Sequence, residues 1–389
     1  MAIHLFATKN SSVADQPFEY VERKGLGHPD AICDSVMQAA ASSLSREYVN
    51  RCGRVLHHNL DKALLVAGQS EPKFAGGVVT KPMQIIAGDR ATSDLGEIRI
   101  PVHEIIESAV LGWFSDNLRF VDTNRHVIFK SEVQPGSAEL TGIFERGAPV
   151  ANDTSAAVGY APLTETERIV LATEQYINSK AFKERFPVAG EDVKVMAVRH
   201  EKRLHLTIAI AFVDRFVSSL SDYFAQKDAI THDVLSHVRR QLVTMEQLAV
   251  DINMLDDPTL GQAGMYLTVL GTSAESGDGG EVGRGNAANG LISLNRPTSN
   301  EAAAGKNATC HVGNIYTHLT YKIADDIVSS IGPVKEAYVW LCSQIGSPID
   351  QPWSTSVSVV LEANVGPRDL QEEVEEIVHR HLQCAVATV

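Results

Sequence analysis

Near the N-terminus, Gly25-Leu26-Gly27-His28-Pro29-Asp30 is followed by Cys33-Asp34. These are the residue types that phosphate chemistry uses. A proline at the first helical position makes His28 the expected N-cap and puts Asp30 in the first turn. A helix N-terminus presents free N–H groups and positive potential, which suits an anionic ligand. A histidine there can stabilise developing negative charge. An aspartate beside it can hold a divalent cation that bridges to phosphate. Asp34, one turn on, shares the face of Asp30. An ordinary helix cap with a dipole-matched aspartate is the plainer alternative.

Three more blocks carry polar chemistry. The run Gly277-Asp278-Gly279-Gly280-Glu281-Val282-Gly283-Arg284-Gly285-Asn286 precedes Glu301-Ala302-Ala303-Ala304-Gly305-Lys306-Asn307 and His311-Val312-Gly313-Asn314. Glycines let backbone N–H groups approach phosphate without Cβ hindrance. Arg284 offers a planar fork and Lys306 a point charge. A P-loop is excluded, because Asn300 and Asn307 stand where glycine and serine or threonine are needed. No Gly-x-Gly-x-x-Gly follows a strand, so a dinucleotide fold is not supported. His57-His58-Asn59-Leu60-Asp61-Lys62 leads through an apolar run to Gln69-Ser70-Glu71. Zinc is disfavoured there, since adjacent histidines point apart on a strand and no third ligand is near. Asn152-Asp153-Thr154-Ser155 can turn on its own backbone or hold a ribose or adenine edge. Together the blocks describe a magnesium–nucleotide enzyme that is neither P-loop nor Rossmann.

The rest of the composition narrows the class. With 34 basic and 48 acidic residues in 389, the net charge is −14, which argues against a nucleic-acid face. No apolar run reaches the ~20 residues of a membrane span. MAIHLFATKN lacks the pattern of a secretory signal. The five cysteines form no Cys-x-x-Cys pair. The expected setting is therefore reducing and cytoplasmic.

Positioning these residues needs alternating helices and strands, an α/β chain. Pro29 to about Val49 reads as a helix, Ala63–Ala67 as a buried strand, and Thr164–Glu167 as a capping box. Val193–Val198 and Leu204–Val213 read as strands joined by a charged turn. His232–Val250 reads as a helix, and Met265–Leu270 and Ser354–Leu361 as strands. Arg368–Leu382 reads as a terminal helix. Gly271 to Gly290 has almost no bulky residue and reads as a long ligand loop.

At these blocks the sequence resembles the archaeal-type methionine adenosyltransferase (S-adenosylmethionine synthetase) family. The similar stretches are VERKGLGHPDAICD (21–34), HHNLDKALLVAGQSEPKFAGG (57–77), ANDTSAAVGYAPLTETER (151–168), GEDVKVM (190–196), GTSAESGDGGEVGRGN (271–286), NGLI (289–292) and EAAAGKN (301–307). The resemblance implies an S-adenosylmethionine synthetase fold of three similar sheet-plus-helix subdomains in a pseudo-threefold arrangement. They are set here as rough, interleaved thirds at 1–125, 126–260 and 261–389.

It also implies attack of the L-methionine sulfur on C5′ of ATP, loss of triphosphate, and cleavage of that triphosphate. His28, Arg284 and Lys306 would be catalytic, with Lys62, Glu71, Asp153, Asp278, Gly280 and Asn307 binding substrate and Asp30 binding metal. Magnesium, as two ions, and potassium are the implied cofactors. A homodimer or dimer of dimers with sites at the interface is the implied assembly, with no nucleic acid or membrane partner.

Three positions depart from the pattern. Asn314 stands where lysine is expected, Ala287 where arginine is expected, and Ser155-Ala156-Ala157 where Ser-Phe-Gly is expected. Two cations near the triphosphate are thus missing, with Lys81 and Lys322 the candidates to replace them. A paralogue with altered substrate or weakened triphosphate cleavage, and a non-catalytic nucleotide-binding protein, are the alternative readings.

Overall fold

The computed structural model describes residues 3–136 and 150–387. Helices and strands alternate into three main sheets, each backed by two helices and enclosing its own apolar core.

The first sheet runs Val127–Ser131, Met83–Ala87, Ala63–Val66, Gly280–Glu281. The helix Pro29–Cys52 lies on it because Ile32, Val36, Ala40, Leu44 and Tyr48 recur every fourth residue, and all are buried. Ile106, Val110 and Phe114 of the helix Val102–Asn117 have the same spacing and join the same core.

The second sheet runs Gln247–Ile252, Arg203–Val213, Ala189–His200, Phe18–Lys24, Ile292–Ser293. It is backed by Glu165–Ile177, which starts on the expected Thr164–Glu167 capping box, and by Leu220–Arg239. The third runs Ile3–Ala7, Ser354–Leu361, Val334–Cys342, Ala156–Ala161. Its helices are Val312–Ser330 and Gln371–Ala387, the latter burying Val374, Ile377, Val378 and Leu382 as expected. Each core draws on interleaved segments rather than on a consecutive third of the chain.

Several expectations are corrected. The helix assigned to His232–Val250 is Leu220–Arg239, with the Ser219 hydroxyl capping its start. Gln247–Ile252 instead extends the sheet, pairing in parallel with Arg203–Ile208. Its alternating Leu248, Val250 and Ile252 have the period of a strand. Met265–Leu270 contributes only Leu267–Thr268. The reason is that the Glu275 carboxylate takes the N–H groups of Val269 (2.7 Å) and Leu270 (2.6 Å) that a longer strand would spend on a neighbour. The glycine stretch is also more ordered than a plain loop. It holds a helical turn at Ser273–Glu275 and the edge strand Gly280–Glu281.

One buried polar network ties the second and third sheets together. The fully buried Arg296 guanidinium pairs with Glu167 (2.9 Å) and Glu336 (2.7 Å) and lies 4.4 Å from the Tyr160 ring centroid. Glu167 comes from a helix of the second sheet and Glu336 from a strand of the third. Arg296 sits just before Asn300–Lys306, so it anchors the approach to that segment.

Candidate active site

The predicted residues fall into two groups on either side of the glycine-rich segment. The first is built on the start of the Pro29 helix. Gly25 and Gly27 donate their N–H groups to Val193 and Glu191 (2.6 and 2.9 Å), and a Cβ on Gly27 would lie 2.5 Å from the Asp192 nitrogen. Only glycine permits this approach. His28 caps the helix, its Nδ1 accepting the Asp30 N–H.

Asp30 has both oxygens engaged. Oδ1 accepts the Glu281 N–H (3.0 Å) and Oδ2 accepts the Lys24 ammonium (2.8 Å). Asp34 accepts the Gly283 N–H (2.8 Å). The two carboxylates that share a helix face thus grip the glycine-rich segment together. Gly280 is required at this contact, since a Cβ there would sit 2.2 Å from the Pro29 carbonyl oxygen.

Three further groups were not singled out from the sequence. Asp192 is buried behind His28, and its Oδ2 accepts the Ser273 N–H and hydroxyl (2.9 and 2.6 Å). Burial raises the Asp192 carboxyl and lowers the His28 imidazole; the attraction between the two works against both shifts. Lys24 reaches Asp30 and the Arg284 carbonyl. Lys194 contributes positive potential at His28. Asp192 and Lys194 lie inside GEDVKVM, and Lys24 inside VERKGLGHPDAICD. Membership of those blocks was the only signal, since their partners are distant in sequence or carry no pattern. The Asp278 and Arg284 side chains are exposed on the same segment.

The second group lines a cavity of about 790 Å³ that includes Asp61, Lys62, Asp153, Glu301, Lys306 and His311, with Glu281 and Gly283 forming its wall towards the first group. Lys306 is almost fully buried, paired with Glu301 and, at 3.5 Å, with Asp61. His311 caps the Val312 helix through Nδ1, and burial first, then Lys306, pushes its imidazole down to about 4. Burial, then Asp61, pushes the Asp89 carboxyl up to about 7. Asp153 is held from behind by the Ser343 hydroxyl, which donates to its carbonyl oxygen (2.8 Å).

Two predicted residues lie elsewhere. Asn307 does not line the cavity; it is fully buried, donating to the Leu56 carbonyl (3.1 Å) and contacting His58 Nδ1 (3.2 Å). It serves packing because its amide satisfies a turn and a core histidine. Glu71 is exposed on the hairpin Gln69–Glu71/Val78–Lys81, 3.6 Å from Lys73. No group of three or more His, Cys, Asp or Glu residues suited to a metal occurs among the described residues. His58 is a core residue, pushed down to about 4 by burial.

One departure, Ala287, lies at a neighbouring cavity of about 690 Å³ between the Pro29 and Val312 helices, lined in part by Asp34, Gln38, Glu301, His318 and Tyr321. Ala287 is part of its wall, and Asn314 donates to the Ala303 carbonyl (2.9 Å) instead of presenting a charge. Lys81 and Lys322 line neither cavity.

A family model described as S-adenosylmethionine synthetase (AdoMet synthetase) matches residues 1–388. The chain belongs to the S-adenosylmethionine synthetase family. A probable S-adenosylmethionine synthase of Aquifex aeolicus is 45% identical over 382 residues, covering 95% of this chain and 92% of its own. The S-adenosylmethionine synthase of Pyrococcus furiosus is 44% identical, covering 94% and 91%. A solved structure of an unusual S-adenosylmethionine synthetase from Campylobacter jejuni superposes with a TM-score of 0.61 at 15% identity, over 95% of this chain and 89% of that one. That likeness speaks for the fold alone. The family resemblance of the sequence blocks and the three sheet-plus-helix layers therefore agree.

Proposed function

We propose that the chain is a methionine adenosyltransferase, forming S-adenosylmethionine, phosphate and diphosphate from ATP, L-methionine and water. The observation that carries the reading is the His28–Asp30 helix start clamped to the glycine-rich segment. Sulfur attacks C5′ and the triphosphate departs, so negative charge grows on the leaving oxygen. Catalysis is then mostly positioning and electrostatic stabilisation. His28 donates from Nε2 to that oxygen. Arg284, Lys306 and Lys62 hold the triphosphate, Asp153 the adenosine, and Glu71 the methionine ammonium.

The donor set fits magnesium. Asp30 is a hard oxygen ligand whose Oδ2 already takes a cationic partner. Mg²⁺ favours one or two carboxylates plus substrate phosphates, and Asp30 would supply such a carboxylate. When bound, the metal supplies charge neutralisation on the triphosphate. Potassium belongs to the same reading.

A homodimer completes the site in this proposal. One chain separates the His28 group from the Lys306 cavity, and Leu64 and Ile128 are about half exposed on the open face of the first sheet beside that cavity. A second copy would cover this face and bring Glu71 to a site. Among the described residues no helix is long and apolar enough to cross a membrane. A cytoplasmic enzyme without a nucleic-acid partner is the accompanying reading.

Incubation with ATP, methionine and Mg²⁺ tests the proposal by yielding S-adenosylmethionine. Folded dimer that yields none, under conditions where the Pyrococcus furiosus relative is active, overturns it. The cavity opened at Ala287 favours a variant of this reading in which triphosphate is released uncleaved. A phosphate-release assay separates the two.

A further inference from the structure

Lys24 ends the strand Phe18–Lys24, and every polar group it owns is committed to the site. Its backbone N–H and C=O are bridged by the Asn286 amide (2.9 and 2.7 Å). Its ammonium donates to Asp30 Oδ2 (2.8 Å) and to the Arg284 carbonyl oxygen (2.6 Å). Both side chains are nearly buried, at 13% and 11% exposure. Asp30 spends its other oxygen on the Glu281 N–H. Each Asp30 oxygen thus already serves one donor, and a cation arriving at Oδ2 meets the Lys24 ammonium there.

We propose that Lys24 is a built-in counter-cation that occupies Asp30 until a divalent metal displaces it, so that metal binding and release of the Arg284 segment are one event. The inference rests on the reading of Asp30 as a metal ligand. Two cations cannot share one oxygen without strong repulsion. The displaced ammonium also loses its hold on the Arg284 carbonyl, which loosens the segment there and leaves the Asn286 bridge to the Lys24 backbone as its remaining tie to the strand. It is then an unpaired cation beside the metal, and the nearest anion is the substrate triphosphate. Lys24 thereby supplies charge that Ala287 and Asn314 do not. The same exchange keeps Asp30 neutralised when substrate is absent. Lys24 is thus a positioning residue that makes metal and substrate binding depend on each other.

Titration of substrate-free enzyme with Mn²⁺, followed by electron paramagnetic resonance, tests this without turnover. Lys24→Met and Lys24→Gln are each expected to bind Mn²⁺ about tenfold more tightly than wild type, and Lys24→Arg to bind as wild type does. Asp30→Asn is expected to lose the site. In wild type, Mg²⁺ should speed amide exchange across residues 281–286. In Lys24→Met that exchange should be fast already and unmoved by Mg²⁺. Unchanged Mn²⁺ affinity in folded Lys24→Met and Lys24→Gln overturns the proposal. A wild-type segment indifferent to Mg²⁺ overturns it without need of any variant. Retention of the site in Asp30→Asn would instead overturn the assignment of Asp30.

Discussion

His28 Nδ1 accepts the backbone N–H of Asp30 at 3.2 Å, so the neutral ring carries its single proton on Nε2. A second proton on Nδ1 would break the helix cap, and burial already disfavours the charged ring. In the proposed reaction His28 would meet the leaving oxygen as a neutral donor. This separates its structural work from its catalytic work. His28→Ala should cost about 1 kcal/mol of stability through the lost cap and at least ~100-fold in turnover. His28→Asn should keep the cap, because its side-chain oxygen accepts the same N–H, yet lose turnover equally. Thermal melts and steady-state rates on both variants decide this; near-normal turnover in His28→Asn would remove His28 from the chemistry.

Asp89 gives a pH dependence of stability. Burial, then Asp61, pushes its carboxyl up to about 7, against about 3.9 in an unfolded chain. Between those values the folded state binds more protons than the unfolded one, so stability falls as pH rises from about 4 to 7. Asp89→Asn should flatten that slope and raise the melting temperature at pH 8. Melting curves across pH 4–8 read the difference directly, and parallel curves for the two proteins would contradict it.

Lys306 is a buried cation between Glu301 and Asp61. Lys306→Ala should lower turnover at least ~100-fold. It should also lower stability, because partly buried carboxylates lose their counter-charge. Adding Glu301→Gln should recover stability but not turnover. Recovery of both would make the pair a packing element only.

Two glycines of one segment should respond oppositely. Gly280→Ala must push its Cβ against the Pro29 carbonyl oxygen at 2.2 Å, whereas the nearest atom to a Cβ on Gly277 lies at 3.5 Å. Gly280→Ala should move the segment off the helix start and cost more than about tenfold in turnover, the scale of a misplaced site. Gly277→Ala should remain near wild type. Similar rates in the two variants would show that the close contact is not what positions the segment.

What was legible in the sequence follows from how local its rules are. The cap at His28, the helix it starts and the Thr164 capping box all depend on residues within one turn, and all are present. Gln247–Ile252 was misread because its alternation is brief and it becomes a strand by pairing with a neighbour some 44 residues earlier (Gln247 to Arg203). Lys24 and Asp192 carry no pattern of their own. They acquire meaning only from Asp30, Arg284, His28 and Ser273, which the fold brings to them. Asn307 stands next to Lys306 in a promising motif, yet its amide faces the core. Side-chain direction at such a turn is decided by packing that the motif does not encode.

The pairing of Ile3–Ala7 with Ser354–Leu361 also bears on how the molecule is made. Ile3 lies opposite Thr355, so this strand stays without its neighbour until Thr355 has been made. Phe18–Lys24 waits for Ala189–His200, and the outer edge of Ala63–Val66 for Gly280–Glu281. Long-range pairing of this kind slows folding and leaves strand edges exposed meanwhile. Loss of Ser354–Leu361 and Gln371–Ala387 would therefore leave Ile3–Ala7 without a sheet to join.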